Sequence, residues 1–240
     1  MPPCPRSPAY RVALGPAALL AIVLGQGAGA GDLDLLVFSS ADAGTSPFVT
    51  TGLKLARQDG GPALLVSAGG GTHGETSTTV TGARVDLRRT AATAAAVFGY
   101  QWFGEEGAVG LFAGPEAIRT TLAGDGGIQD RRLRSGLRLQ QENWLRPTEA
   151  TLVQTTVVAG TTRRSVWARL AGGVRLGQGY VGPEAALYAD ATGYRKWTFG
   201  LHATDYVLAG RHLRVSIGGQ VVPDTSRICP YVGLALWDAW

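Results

Sequence analysis

The sequence predicts an all-β protein: a single antiparallel transmembrane β-barrel of about 12 strands, with about 10 as the alternative count, after a cleaved signal peptide. Three observations carry this. First, apolar and polar residues alternate in long runs. Leu213, Val215, Ile217 and Val221 alternate with His212, Arg214, Ser216 and Gln220. Trp197, Phe199, Leu201 and Ala203 alternate with Lys196, Thr198, Gly200, His202 and Thr204. Strand side chains point to opposite faces with period two, so each run has one apolar and one polar face. Second, the chain ends on such a run: Val232, Leu234 and Leu236 share a side with the terminal Trp240. Third, the segments are of barrel-strand length and are separated by turn residues. After the N-terminus, no apolar run is long enough to cross a bilayer as a helix.

Residues 1–30 read as a secretory signal. Arg6 and Arg11 give a positive start, residues 12–24 an apolar stretch, and Ala28-Gly29-Ala30 a small-residue cleavage site. The alternative is an N-terminal anchor, for which the apolar stretch is short. The presequence holds two arginines and no acid, so its removal lowers the net charge from +4 to +2. The remaining charge forms no clustered basic patch of the kind that binds nucleic acid, and none is expected as a partner. Cys229 is the only cysteine of residues 31–240, which excludes a cysteine metal site and a disulfide within the mature segment. No cofactor or metal is expected.

Residues 31–240 divide into twelve segments. Residues 32–40 and 48–57 are split by Ala43-Gly44-Thr45-Ser46-Pro47. Residues 63–72 follow Asp59-Gly60-Gly61-Pro62, and residues 90–103 follow a polar stretch at 73–89. Residues 107–119 follow the tight turn Gly104-Glu105-Glu106-Gly107. Residues 131–144 follow a glycine-rich stretch near 120–130. The remaining segments are 150–159, 165–176, 179–189, 194–206, 211–222 and 229–240. The polar stretches at 73–89 and 120–130 are expected to be long loops on one rim, with short turns on the other. Residues 91–97 are rich in alanine, which favours helix, but they run into Phe98-Gly99-Tyr100-Gln101-Trp102 and are read as strand.

Period two also assigns faces. Leu133, Leu137 and Leu139 face one way; Arg132, Arg134, Arg138 and Gln140 face the other. Trp167, Arg169 and Arg175 oppose Val166, Leu170 and Val174. Tyr180, Glu184, Tyr188 and Asp190 oppose Val181, Ala185 and Leu187. A charge in hydrocarbon costs several kcal/mol, so the charged face is placed inside. The expected lumen holds Glu116, Arg138, Arg169, Arg175, Glu184, Lys196, Arg214 and His202, with the aromatics Trp167, Tyr180, Tyr188, Tyr194 and Tyr206. Such charges either pair across strands as a structural ladder or form a constriction that selects solutes. The aromatics either stack on sugar rings or belong to interfacial girdles.

Leu111-Phe112-Ala113-Gly114-Pro115-Glu116-Ala117 is similar to Gly179-Tyr180-Val181-Gly182-Pro183-Glu184-Ala185 and suggests a duplicated hairpin. Three stretches carry a further likeness: Phe98-Gly99-Tyr100-Gln101-Trp102, Val181-Gly182-Pro183-Glu184-Ala185, and Tyr194-Arg195-Lys196-Trp197-Thr198-Phe199-Gly200-Leu201-His202-Ala203. From about Leu35 to the C-terminus the chain resembles the BcsS-type cellulose biosynthesis proteins. The resemblance implies an exported barrel of alphaproteobacterial type, associated with cellulose production. It implies the bacterial outer membrane as location. Outer-membrane lipid, and cellulose or components of its synthase and export machinery, would be the partners.

Two other classes compete. An outer-membrane lipid hydrolase could use His202 with Thr204, which project to one face two residues apart; a nucleophile needs an adjacent base. Both residues fall on the inward face, away from lipid, so no catalysis is expected. A soluble periplasmic lipocalin-like binder would invert the faces, apolar inside and charged outside. Alternation alone does not separate it from a membrane barrel; the terminal aromatic and the even strand count favour the membrane.

Overall fold

A computed structural model describes residues 33–78, 84–124, 127–222 and 227–239. The expected signal peptide and Trp240 lie outside these residues. The described residues form twelve strands: β1 (Leu33–Ala43), β2 (Phe48–Arg57), β3 (Gly61–Thr78), β4 (Arg84–Gly104), β5 (Gly107–Gly124), β6 (Gly127–Thr148), β7 (Thr151–Gly160), β8 (Ser165–Leu176), β9 (Gly179–Ala189), β10 (Arg195–Leu208), β11 (Arg211–Val222) and β12 (Arg227–Ala239). Each pairs antiparallel with its neighbours in sequence. β1 pairs with β12, Leu36 opposite Ala239 through Ala43 opposite Val232, so the barrel is closed. Closure removes the edges that would otherwise leave unpaired backbone groups in lipid. Residues 91–97 are strand, as expected; β4 runs through them without a break.

The faces follow the alternation. Leu133 (75% exposed), Phe98 (63%) and Val174 (62%) point outward, as do Leu137, Leu139, Leu170, Phe199, Leu201, Ile217 and Leu234. Glu184, His202, Thr204, Arg214, Ser216 and Gln220 are buried inside. An apolar exterior around a polar interior is stable only against lipid, so the barrel is of the transmembrane type. The inverted, lipocalin-like arrangement is not what the strands adopt. Aromatics mark both ends of the apolar belt: Tyr100, Trp102 and Phe103 near the β4–β5 turn, and Trp197 stacked on Phe199 (5.9 Å) towards the other rim. Such rings sit at the lipid–water boundary, where one end can be wet.

The rim that carries both chain ends has tight turns. Its β10–β11 turn places Ala209 (φ 51°) and Gly210 (φ 79°) both in the left-handed region, the geometry of a type I′ hairpin. The opposite rim corrects one expectation. The stretches at 73–89 and 120–130 are not long loops. β3 pairs with β4 from Gly61–Gln101 continuously to Thr78–Arg84, and β5 with β6 out to Gly124–Gly127. About 9–11 residues span the bilayer, whereas β3 to β6 hold 18, 21, 18 and 22. These four strands therefore project beyond the other eight as a wall. Beyond the lipid, exposed polar residues such as Asp86 and Arg88 weaken the hydrophobic alternation that reveals a strand. Arg132 and Arg134, expected inside the lumen, lie on this wall instead. β7 ends at Gly160 opposite Arg138, so β6 has no β7 partner at their height, and both are exposed.

A second correction concerns Tyr206. A β-bulge between Thr204 and Tyr206 places Asp205 at φ 66°. The extra residue flips the alternation. Asp205 turns inward. Tyr206 pairs with outward Leu213, and its hydroxyl donates to Leu176 O on the outer surface (2.8 Å). It belongs to the girdle, not to the lumen. Finally, Cys229 is not a free thiol.

Candidate functional site in the barrel lumen

The lumen is bridged by side chains at three heights. Near the rim that carries the termini lies a cavity of about 430 Å³. β6 supplies Trp144 and Arg146, β10 Asp205, β11 His212 and β12 Trp237. Arg146 reaches across the barrel to Asp205 (3.1 Å), whose other oxygen meets His212 Nδ1 (2.7 Å). His212 stacks on Trp237 (5.6 Å between ring centres, 14° between planes), and Trp144 meets Trp237 edge-on (5.8 Å). Arg146 and Arg175 lie on the Tyr180 ring, each 5.9 Å from its centre.

At mid-height the Arg214 guanidinium binds Glu184 and Gln154, and its Nε donates to Ser216 (3.3 Å). Arg214 and Glu184 side chains are each 4% exposed. The strand pairs beside them make the room. Gly200 of β10 lies between Glu184 and Gly218 in the ladder. A Cβ on Gly200 or Gly218 would strike the carbonyl of Ile217 or Phe199, so these strands approach too closely for any side chain there. Lys54 crosses from β2 to Glu142 on β6 (2.9 Å), which also accepts from Gln140 Nε2 (2.6 Å). Arg138 reaches Ser67 on β3 (3.2 Å). The bonds from Arg214 to Glu184 and Gln154, from Lys54 to Glu142 and from Arg138 to Ser67 join strands that are not neighbours in the sheet. They are the paired ladder rather than an unpaired ring of basic groups.

The β1–β5 wall is filled differently. Leu65, Val97 and Phe112 are almost fully buried, together with Ala56 and Ala63, and half-buried Phe38 packs against them. Lys54 Nζ lies 5.8 Å from the Phe112 ring centre.

The far mouth collects the remaining expected residues. Tyr188 Oη donates to Asp190 Oδ2 (3.2 Å), which also accepts from Arg163 (2.8 Å). Tyr194 packs against Tyr188 (5.9 Å) and His73 (5.8 Å), and its hydroxyl meets that of Ser46 (3.3 Å). Trp167 pairs with Tyr188 across β8–β9, with Arg169 against its ring (5.9 Å). Burial opposes ionisation of Asp190. Hydrogen bonds from the Thr192 side chain and backbone, the Arg163 charge and the Tyr188 hydroxyl outweigh it, and hold the carboxyl below its ordinary range.

The expected residues thus do not form one site. Tyr188, Tyr194 and Trp167 share the far mouth, Glu184 and His202 mid-lumen, and Tyr180 and Arg175 the terminal rim. Glu116 binds the backbone and hydroxyl of Thr162 and ties β5 to the β7–β8 turn. His202 bonds through Nε2 to Gly172 O (3.1 Å). Its Nδ1 and the Thr204 hydroxyl are both buried without a partner, so no base-to-nucleophile bond exists between them. Sequence reasoning passed over Trp144, Arg146, Asp205, His212 and Trp237. Alternation carried two residues past Glu142 would have placed Trp144 inside, and the parity opposite Leu234 and Leu236 would have placed Trp237. Asp205 is visible only through the bulge.

The sequence signature of the family "cellulose biosynthesis protein BcsS" matches residues 36–238, and the chain belongs to that family. No curated protein sequence matches it. Among solved structures it is similar to the translocator domain of the autotransporter NalP from Neisseria meningitidis (9% identity, 92% of each chain covered, TM-score 0.48). It is also similar to the KdgM porin in complex with disordered oligogalacturonate (9% identity, 84% of this chain and 97% of that one, TM-score 0.45). The transport unit of the autotransporter AIDA-I from Escherichia coli matches at 11% identity over 92% and 95% (TM-score 0.43).

Proposed function

For a member of the BcsS family, we propose a non-enzymatic role in the bacterial outer membrane, as an accessory of cellulose secretion. The observation that carries this is the family match over nearly the whole barrel, joined to a lipid-facing exterior. Export would follow cleavage after Ala30, leaving residues 31–240 as the barrel. The partners would be outer-membrane lipid and components of the cellulose synthesis and export machinery. The cross-lumen bonds support a barrel that is braced rather than a wide solute channel. The separation of His202 from any activated hydroxyl supports a non-catalytic role.

Deleting the gene should lower the cellulose recovered outside the cells, and restoring it should return the yield. Unchanged secreted cellulose would overturn the pathway role. Membrane fractionation tests the location: the account expects an outer-membrane band whose mobility shifts on boiling. A periplasmic band without a shift would contradict it.

A further inference from the structure

We infer that the cavity at the rim carrying the chain termini is a binding site for a neutral saccharide, a short stretch of β-linked glucan. The identity of the sugar rests on the cellulose reading above; the existence of the site does not.

The cavity is built rather than incidental. Its volume of about 430 Å³ lies within the range of small-molecule sites, ~300–1,000 Å³. Two indoles, Trp144 and Trp237, meet there. An indole face is an apolar platform with a negative quadrupole, and the C–H face of a pyranose ring is its complement. Around it lie polar atoms with nothing to bind. Gln101 Oε1, the Thr204 hydroxyl and Arg169 Nε are buried without partners, and all three residues line the cavity. Gln101 is 7% exposed and Thr204 fully buried. A buried polar group left unsatisfied costs ~1–3 kcal/mol, so these atoms ask for a ligand that both donates and accepts. Sugar hydroxyls do both.

Charge argues for a neutral ligand. Arg146 and His212 are committed to Asp205, Lys54 to Glu142, and Arg214 to Glu184. Among the described residues lining the cavity, only the cation of Arg169 has no carboxylate in contact, and it lies against Trp167. A charged sugar would find its counter-charges taken. The position fits as well. Outer-membrane barrels carry their short turns on the periplasmic side, and the cavity lies at the short-turn rim, so it would open towards polymer arriving from within.

The test uses the processed barrel, purified in detergent. Intrinsic tryptophan fluorescence and calorimetry are followed against cellotetraose and against an oligogalacturonate of equal length. Cellotetraose should bind and perturb the tryptophan signal. Trp237→Ala should weaken binding at least tenfold, and Gln101→Leu several-fold, each variant keeping its heat-shifted band. If Trp237→Ala does not fold, Gln101→Leu and Thr204→Val carry the test. Absence of cellotetraose binding to the wild type overturns the inference. So does binding that both substitutions leave unchanged, or binding of the anionic oligomer alone. A normal deletion phenotype with cellotetraose bound would instead sink the secretion role and keep the site.

Discussion

The two walls of the lumen are filled by opposite chemistry. On the β7–β11 side the buried groups are mostly polar: Gln154, Glu184, His202, Arg214, Ser216 and Gln220 are buried and held mostly by hydrogen bonds. On the β1–β5 side the buried groups are mostly apolar: Leu65, Val97 and Phe112 pack with Ala56, Ala63 and Phe38. Both walls face the same narrow space and neither touches lipid. The contrast shows that "polar inside" is not what a small barrel requires. It favours pairing of the charged groups that are buried there, or their replacement by apolar packing.

The largest expected effect falls on the polar wall. Glu184→Ala leaves the Arg214 guanidinium buried beside Gln154 with no carboxylate. Stranding one partner of a buried pair costs ~3–5 kcal/mol. The denaturant midpoint at which the heat-shifted band disappears should fall accordingly. Replacing both partners, as Glu184→Leu with Arg214→Met, should recover most of the loss. A double variant no more stable than the single would mean that the pair itself, and not the stranded charge, holds the wall.

The apolar wall should respond by a different route. Phe112→Ala removes a ring that is 1% exposed and leaves a void, for ~3 kcal/mol. No isosteric polar replacement should rescue it, whereas Phe112→Leu should lose less. The same denaturant midpoint reads both. Equal losses for Phe112→Leu and Phe112→Ala would argue that this wall is loosely filled.

Acid should act at the far mouth. The Asp190 carboxyl is held below its ordinary value of 3.8 once its hydrogen bonds and Arg163 outweigh burial. A depressed folded value means that the contribution is complete above the unfolded value and lost as pH falls through the folded one. Stability of the wild type should therefore drop below about pH 4 by more than that of Asp190→Asn, which lacks the titration. Parallel curves for the two would remove Asp190 as the source.

The smallest effect belongs to the projecting wall. Arg132 pairs with Asp130 (2.6 Å), yet their side chains are 63% and 39% exposed. Water screens such a pair, and Arg132→Ala should change stability by no more than ~0.5 kcal/mol. A larger loss would mean that the wall beyond the lipid braces the barrel.

These differences also explain what could be read from the sequence. The strands β8 to β12 were legible because lipid lies on one side and water or paired charge on the other, as in Val166 to Leu176. The outer parts of β3 to β6 were not, because exposed charged residues such as Asp86 and Arg88 interrupt the apolar pattern there. In β3, Leu64 faces lipid and Leu65 the lumen, so alternation vanishes for the opposite reason. Glu184 and Arg138 were placed inside by parity alone. Their partners were not, because Arg214 with Gln154 and Arg138 with Ser67 join residues 60 and 71 positions apart. Tyr206 was misplaced by one inserted residue, and the cavity was missed because Asp205 lies at that same bulge.

The most direct test of a braced lumen is single-channel conductance of the processed barrel in a planar lipid bilayer. The account predicts that the wild type inserts and shows no long-lived openings of porin size, and that Glu184→Ala raises conductance by releasing Arg214. Steady, wide openings in the wild type, unaffected by Glu184→Ala, would contradict it.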